Sequence, residues 1–326
     1  MKRYIICFIL VIISCVACSP IAMASEVTTQ SSTVGTDNTF LENKSEPIYS
    51  IKTNEYDMYV NLQSTPASTL LNSGYSEDEV ARIKSTTMED LLYQRAQLTN
   101  DDLQMMGYSQ EEIVLLQSYN KEPLSENPNF KRLVAEFEGY LRLISANTNR
   151  IGASFEFRWS KTPLTTGLAM DEIIACGFGG TKNDNGIAQV KLVESESHLR
   201  VFYYDGNQEL GEFVGAVDYD LVVRDVYHDV KVTFPLLHNI SGQGCWAARG
   251  EIMIMVEEEV TVNTLYSVAF AFGYGHNTLI IAPEITVTIS GWMPSLLFRL
   301  GTEETFYKTI VINHEGQYEI YNGEMD

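Results

Sequence analysis

The chain has 326 residues, and its 43 aspartates and glutamates outnumber its 22 lysines and arginines, which gives a formal net charge of −21. With 45% hydrophobic and 20% charged residues, the composition is typical of a folded protein and excludes an intrinsically disordered chain. Because the chain has no surplus of basic residues to neutralise phosphates, we expect no nucleic-acid partner.

The N-terminus has the three parts of a secretory signal peptide. Met1–Arg3 is basic, residues 4–17 are almost all apolar, and residues 22–24 (Ala-Met-Ala) form a small-residue cleavage site. We predict cleavage after Ala24 and a secreted or cell-surface protein with no membrane span after cleavage, since no later apolar run reaches about 18 residues. Lipid attachment to Cys18 is the alternative, although the leucine usually found three residues before the lipidated cysteine is absent.

Two segments follow the signal peptide. Residues 25–50 are rich in Ser, Thr, Asn and Glu and predict a flexible tether. Residues 51–122 predict a small helical module, in which the first dozen residues are left without an assignment. Within this module, residues 70–80 align with residues 103–113, and both copies contain the sequence Gly-Tyr-Ser. Two copies of an internal repeat are too few to predict a solenoid.

Local capping signals predict about five short helices in this module. Gly107 suits the left-handed end of one helix, and Ser109 followed by Glu112 has the capping-box pattern of the next helix. The first copy of the repeat has the same pattern at the equivalent positions. Thr87 and Thr99 predict two further helix starts. Helices this short depend on packing against one another for stability.

The hydrophobic period changes from helical to alternating after a predicted linker at residues 123–129. Residues 151–159 alternate between apolar and polar side chains, which is typical of a β-strand. Comparable stretches occur at residues 133–144, 171–177, 198–204, 217–223, 230–234, 251–262, 265–272, 285–289 and 305–312. No long amphipathic helix separates them, so a parallel sheet is disfavoured. We predict an α+β fold by segregation, a short N-terminal helical module followed by an antiparallel all-β sandwich domain at residues 130–326.

This order of segments resembles that of uncharacterised exported proteins of Gram-positive bacteria. Those proteins have a signal peptide, a Ser/Thr-rich tether, helices with Gly-Tyr-Ser turns and a β-rich C-terminal half. The Gly-Tyr-Ser helices carry the resemblance. It implies an exported protein but supplies no activity, cofactor or site residue.

A second resemblance concerns residues 243–246 (Gln-Gly-Cys-Trp), which are similar to part of the nucleophile segment of papain-like cysteine peptidases. It implies that Cys245 is the nucleophile, His276 its base and Gln243 an oxyanion-hole donor. The family separates its cysteine and histidine by many more residues, and the residues after Cys245 alternate as in a strand. We therefore favour a structural cysteine, either in a disulfide with Cys176 or as one of two separate buried thiols.

The sequence predicts no metal site and no cofactor. The five histidines are spread singly, without the spacing of metal ligands. Asp225, His228 and Asp229 fall at a predicted turn. Residues 183–186 (Asn-Asp-Asn-Gly) predict a hairpin turn and not a calcium loop, because Leu192 stands where that loop requires glutamate.

Aromatic residues near predicted loops and strand ends are the remaining signal for binding. Flat rings bury surface at a low entropic cost in contacts with sugars or proteins, although ordinary packing of tyrosines in sheets gives the same pattern. The candidate ligand-binding residues are Tyr203, Tyr204, Tyr274, His276, Asn277 and Trp292. We predict an exported non-enzymatic binding or surface-scaffold protein for an extracellular or envelope partner, a protein or a glycan. A papain-like cysteine hydrolase is the alternative.

Overall fold

The computed structural model describes the chain between residues 45 and 322, with short gaps. The described ranges are 45–72, 75–164, 171–182, 186–206, 212–225, 228–259, 264–277, 284–298 and 302–322. Strand residues outnumber helical residues, and the sheets are mostly antiparallel. None of the helices in these ranges combines the length and the apolar character that are needed to cross a lipid bilayer.

The described ranges contain seventeen strands. They are β1 (Tyr49–Asn54), β2 (Glu136–Ala146), β3 (Arg150–Trp159), β4 (Asp171–Lys182), β5 (Ile187–Ala188), β6 (Val190–Leu192), β7 (His198–Asp205), β8 (Glu212–Tyr219), β9 (Val222–Asp225), β10 (Asp229–Pro235), β11 (Leu237–Ile240), β12 (Gln243–Glu258), β13 (Leu265–Asn277), β14 (Ile285–Ser290), β15 (Met293–Phe298), β16 (Thr302–Asn313) and β17 (Tyr318–Tyr321).

Two large sheets contain all of these strands except β14 and β15. In sheet A the order is β1-β2-β3-β12-β7-β8, and both β6 and β11 also pair with β12. In sheet B the order is β17-β16-β13-β4-β10-β9, and β5 pairs with β4. The strands β14 and β15 form a separate hairpin. All of these described pairings are antiparallel.

The two sheets share one hydrophobic core. Successive side chains of a strand point to opposite faces, so every second side chain can enter this core. In β3, the fully buried Phe155, Phe157 and Trp159 belong to this core. The ring centroid of Phe155 lies 6.3 Å from that of Phe272, and the ring centroid of Phe157 lies 4.7 Å from that of Tyr274. The alternate side chains of β3 therefore lie on the outer face of sheet A.

The described helices are short and lie before β2. They are α1 (Glu55–Ser64), α2 (Ala67–Asn72), α3 (Glu77–Ser85), α4 (Met88–Arg95), α5 (Asn100–Met105), α6 (Gln110–Gln117) and α7 (Pro128–Lys131). Fully buried leucines and isoleucines of α4, α5 and α6 pack together with residues at the entry to β2. The helices thus have a core of their own.

The helix ends use the capping groups that the sequence predicts. At the start of α6, the Ser109 hydroxyl accepts a hydrogen bond from the backbone N–H of Glu112, whose carboxylate accepts one from the backbone N–H of Ser109. Thr87 forms the same capping box at the start of α4, and the Thr99 hydroxyl accepts a hydrogen bond from the backbone N–H of Asp102 at the start of α5. Gly107 has the left-handed φ of +96° between α5 and α6. In the first copy of the repeat, Gly74 and the side chain of Glu79 lie outside the described residues.

Two basic side chains join the helices to the segment after β3. The ammonium of Lys161, which is almost fully buried, forms an ion pair with Glu112 and donates to the carbonyl oxygen of Arg132. The guanidinium of Arg95 donates to the carbonyl oxygens of Thr162 and Pro163 at 3.2 and 2.8 Å. Residues 161–163, which follow β3 of sheet A, are therefore bound to the helices by these contacts.

Two elements of the structure cross boundaries that were predicted from the sequence. Residues 49 and 50, the end of the predicted tether, belong to β1, and the segment 51–62 completes that strand and begins α1. The predicted linker includes the start of α7 at Pro128. The extra strands beyond the ten predicted are mostly short ones. The predicted signal peptide and the first part of the tether lie outside the described residues.

Candidate functional site

The hairpin of β14 and β15 lies over the outer face of sheet B and forms one side of an open cleft. Ile285 and Leu296 of the hairpin pack against Ile173 and Ala271 of sheet B. At the turn between the two strands, Gly291 has a left-handed φ of +65°. The turn therefore places the next residue, Trp292, at the end of the hairpin.

Close contact between this turn and sheet B depends on a glycine of β4. A Cβ atom added at Gly179 would lie only 2.2 Å from the carbonyl oxygen of Trp292, a separation that no side chain can accommodate. The turn consequently rests directly on the backbone of β4. This close packing fixes the position of the Trp292 backbone.

The cleft beside the hairpin turn has a volume of about 380 Å³. The half-buried Trp292 lines it together with the exposed side chains of Gln189 and His228. An indole ring offers a flat apolar surface, while an amide and an imidazole can donate and accept hydrogen bonds. We call this feature the Trp292 cleft. Its combination of groups suits a ligand that is partly apolar and rich in hydroxyl groups.

The other predicted ligand-binding aromatics are placed differently. Tyr203 and Tyr274 are fully buried in the core, so the expectation that they lie exposed at strand ends is wrong. Their alternating positions in β7 and β13 direct both rings inward. Tyr204, on the opposite face of β7, is half-buried. Asn277 is the last residue of β13, and its side chain lies outside the described part of the chain.

A buried polar chain connects two of the predicted residues, Tyr274 and His276. The indole N–H of Trp159 donates to the hydroxyl of Tyr274 at 2.9 Å, and that hydroxyl donates to Oε2 of Glu172 at 2.7 Å. Nδ1 of His276 lies 2.7 Å from Oε1 of the same carboxylate. Because all four side chains are buried, His276 lies in the interior and not at a binding surface.

Glu172 was missed as a partner of these residues, although the sequence contained a signal for it. It precedes Ile174 and Cys176 by two and four positions in a strand, so the three side chains share the core face of β4. A carboxylate on that face requires buried hydrogen-bond donors. Gln189 and Gly179 carried no comparable signal, because their roles in the cleft depend on the position of the hairpin.

The proposed papain-like residues occupy separate environments. Sγ of Cys245 lies 3.5 Å from the carbonyl oxygen of His238, the residue opposite it on β11. The amide of Gln243 donates to Asp205 at 3.0 Å. The pKa of the Cys245 thiol is raised to about 11, mainly by burial, whereas a nucleophilic cysteine requires a lowered pKa.

The two cysteines are separate buried thiols, which is one of the two arrangements that the sequence left open. Cys176 of sheet B and Cys245 of sheet A are both free thiols and both buried in the shared core. Burial raises the pKa of Cys176 well above its ordinary value. A disulfide between these residues, which the sequence also allowed, is not formed in the structure.

The described residues contain no group of three or more His, Cys, Asp or Glu side chains arranged to hold a metal ion. The backbone of Asp225 ends β9, His228 is exposed beside the Trp292 cleft, and Asp229 begins β10. The middle of the predicted turn at 183–186 lies in a gap between described ranges. No protein-family model matches the chain, and no curated protein is similar enough to be identified as a relative.

Proposed function

We propose that this chain is an exported binding protein whose ligand occupies the Trp292 cleft. The observation that carries the proposal is the position of Trp292, half-buried at a hairpin turn and beside two exposed polar side chains in a cleft of about 380 Å³. Clefts that combine apolar surface with a few polar groups are the usual form of small-molecule sites. The volume is near the lower end of the usual range for such sites.

The chemistry of the lining favours a saccharide. A pyranose ring has apolar C–H faces that can lie on an indole and hydroxyl groups that bind amide and imidazole side chains. Gln189 and His228 are placed to bind those hydroxyls. Both side chains are exposed, so the ligand would be an end or an accessible part of an envelope glycan.

One further feature supports binding over hydrolysis. The Cys245 thiol is buried and its pKa is raised, so it forms little of the thiolate that attacks a substrate. The helices, which we propose form an N-terminal module ahead of a β-sandwich, would act as a spacer between the exported N-terminus and the cleft. The predicted signal peptide is the basis for proposing export.

Glycan binding can be tested by screening the purified mature protein against neutral and acidic saccharides and against envelope fractions. We expect Trp292→Ala to weaken binding of the selected saccharide by at least about tenfold, as loss of a central aromatic contact does in many interfaces. Tyr266→Ala is the matched control, because Tyr266 is an exposed aromatic residue outside the cleft.

Two results would contradict the proposal. One is equal binding by the Trp292→Ala variant and the unmodified protein. The other is the absence of binding to any saccharide or envelope fraction together with labelling of Cys245 by a thiol-directed peptidase probe, lost in Cys245→Ala. The second result would favour the cysteine hydrolase over a binding protein.

A further inference from the structure

A second cleft lies between the first two helices and the end of the β14–β15 hairpin that is away from its turn. Its volume is about 420 Å³, which is within the usual range for small-molecule sites. Met58 and Leu62 of α1 and Leu70 of α2 line one side, and Leu297 and Phe298 of β15 line the other. We call it the helix–hairpin cleft.

Each side of the helix–hairpin cleft is supported by its own packing. Leu62 packs against a small hydrophobic cluster of the helices that includes the buried Leu70. On the other side, Phe298 packs against sheet B in the cluster that contains Leu296, whose backbone N–H donates to the hydroxyl of Tyr307 at 2.9 Å. Because the two sides pack on different clusters, the space between them stays open.

Most of the lining of this cleft is apolar, and part of that apolar surface is accessible. Leu297 is 49% exposed, while Met58 and Phe298 are half-buried. Unbranched methionine adapts to ligands of irregular shape, and covering exposed apolar surface is favourable. The lining therefore favours a ligand with an apolar body.

Among the described residues that line the cleft, Glu304 of β16 is the only acidic or basic one. In the described part of the chain its carboxylate makes no hydrogen bond or ion pair. Although the residue is exposed, the surrounding protein atoms raise the pKa of its carboxyl group by burial, and the charge of Lys308 opposes this shift. A carboxylate that is poorly hydrated and has no partner is stabilised by a cation.

The two lysines nearest to the cleft have other partners. The ammonium of Lys308 donates to the side-chain oxygen of Asn322 at 2.6 Å and lies 5.6 Å from the ring centroid of Tyr49. The ammonium of Lys84 donates to two backbone carbonyl groups at the end of α1. Neither lysine lines the cleft, so Glu304 is available to a cationic ligand.

We propose that the helix–hairpin cleft binds a small cationic amphiphile, an apolar chain that carries one ammonium group. The chain lies against Leu297 and Phe298, and the ammonium pairs with Glu304. Glu304 and the net charge of −21 disfavour an anionic amphiphile such as a fatty acid. The helix–hairpin cleft and the Trp292 cleft share no lining residue, so this proposal does not rest on the proposed function.

The test is titration calorimetry of the purified mature protein with octylammonium, 1-octanol and octanoate, which have chains of the same length and different head groups. We expect octylammonium to bind most tightly and octanoate most weakly. Raising the salt concentration should weaken the binding of octylammonium and leave that of 1-octanol unchanged. These comparisons use the unmodified protein, so they do not depend on whether a variant folds.

Two substitutions place the ligand in the cleft. Glu304→Gln should weaken octylammonium binding by about three- to tenfold and leave 1-octanol binding within about twofold. Its matched control is Glu111→Gln, at an exposed position of α6 outside the cleft. Leu297→Ser should weaken the binding of both probes, whereas Val114→Ser, at an exposed apolar residue of α6, should weaken neither.

Three results would overturn the proposal. They are no binding of octylammonium at millimolar concentration, octanoate binding as tight as that of octylammonium, and an unchanged affinity for octylammonium in Glu304→Gln. Thermal unfolding of Glu304→Gln at the temperature of the unmodified protein would establish that the variant is folded. Trp292→Ala should bind octylammonium normally, and loss of binding in that variant would contradict a separate site.

Discussion

The hydroxyl of Tyr274 is the central group of the buried polar chain. It accepts a hydrogen bond from Trp159 and donates one to Glu172, and all three side chains are fully buried. Burial raises the pKa of Tyr274 well above its ordinary value, with a further contribution from Glu172, so the hydroxyl keeps its proton and remains a donor. A neutral tyrosine is therefore the species that this arrangement requires.

We predict that Tyr274→Phe lowers the free energy of unfolding by about 1–3 kcal/mol, because it removes one donor to a buried carboxylate and the acceptor of the Trp159 N–H. Urea denaturation monitored by tryptophan fluorescence measures the change. Tyr266→Phe, at an exposed tyrosine, should change the same quantity by less than about 0.5 kcal/mol. Equal stability of both variants would show that the buried hydrogen bonds contribute little.

The close contact between the hairpin turn and β4 depends on Gly179. We predict that Gly179→Ala destabilises the protein by about 1–3 kcal/mol and displaces Trp292, since the new methyl group meets a backbone carbonyl at 2.2 Å. Denaturation and the emission wavelength of Trp292 are the two measurements. Gly215→Ala is the matched control, because its nearest neighbour would be 3.5 Å away. A normal emission spectrum in Gly179→Ala would contradict this account.

Among the elements, α6 is joined to the segment after β3 by an ion pair between Glu112 and Lys161. Lys161 is 4% exposed and its charge is compensated by Glu112, near the start of α6. Burial acts to raise the pKa of Glu112, but the charge of Lys161 and hydrogen bonds from Lys161 and Ser109 outweigh it, so the pKa lies below its ordinary value. Burial lowers the pKa of Lys161, and the charge of Glu112 opposes that shift. The folded state thus favours the charged form of Glu112.

We predict that Glu112→Gln lowers the free energy of unfolding at pH 7 by about 2 kcal/mol, because a buried ammonium loses its counter-charge. The pH dependence follows from the lowered pKa. The contribution of Glu112 is complete above its ordinary pKa of 4.5 and is lost as the pH falls through the lower value of the folded state. The unmodified protein should therefore lose more stability below pH 4.5 than the variant does.

Denaturation series at several pH values measure both effects. Glu111→Gln is the matched control, since Glu111 is exposed on the same helix. It should behave like the unmodified protein at each pH. Parallel pH profiles for Glu112→Gln and the unmodified protein would show that this ion pair does not contribute to the acid dependence of stability.

Helix caps depend on residues that are close in sequence, whereas strand pairing depends on residues that are far apart. The capping box at Ser109 involves residues three positions apart, so the sequence predicted it directly. The alternation in β3 likewise revealed which side chains face the core. The pairing of β12 with β3, β6, β7 and β11 depends on contacts between distant segments, which local patterns do not encode. Short strands such as β5 were missed for that reason.

In the whole molecule, the candidate site could be predicted only in part. Trp292 was identified from its position beside a turn, but its cleft is completed by Gln189 and His228 from other segments. The pairing of Glu172 with His276 joins residues 104 positions apart. Aromatic content alone could not separate the half-buried Trp292 from the fully buried Tyr274, because alternation places either kind of residue on one of two faces.

The reactivity of the two free thiols, one in each sheet, measures whether the sheets stay packed together. Cys176 and Cys245 are buried in the core that joins sheets A and B, and their pKa values are raised by burial. We predict that at pH 8 iodoacetamide labels neither residue in the folded protein and labels both in denaturant without a reductant. Peptide mapping by mass spectrometry measures labelling at each position.

The control is Ser68→Cys, which introduces a thiol at an exposed helical position. This thiol should react with iodoacetamide at least about 100-fold faster than Cys176 or Cys245. The reagent reaches the two buried thiols only when the sheets separate. Labelling in denaturant only after reduction would mean that the two cysteines form a disulfide after all. Fast labelling of Cys245 alone in the folded protein would mean a reactive thiol. Protection of both residues until unfolding instead indicates that sheets A and B stay packed on one apolar core.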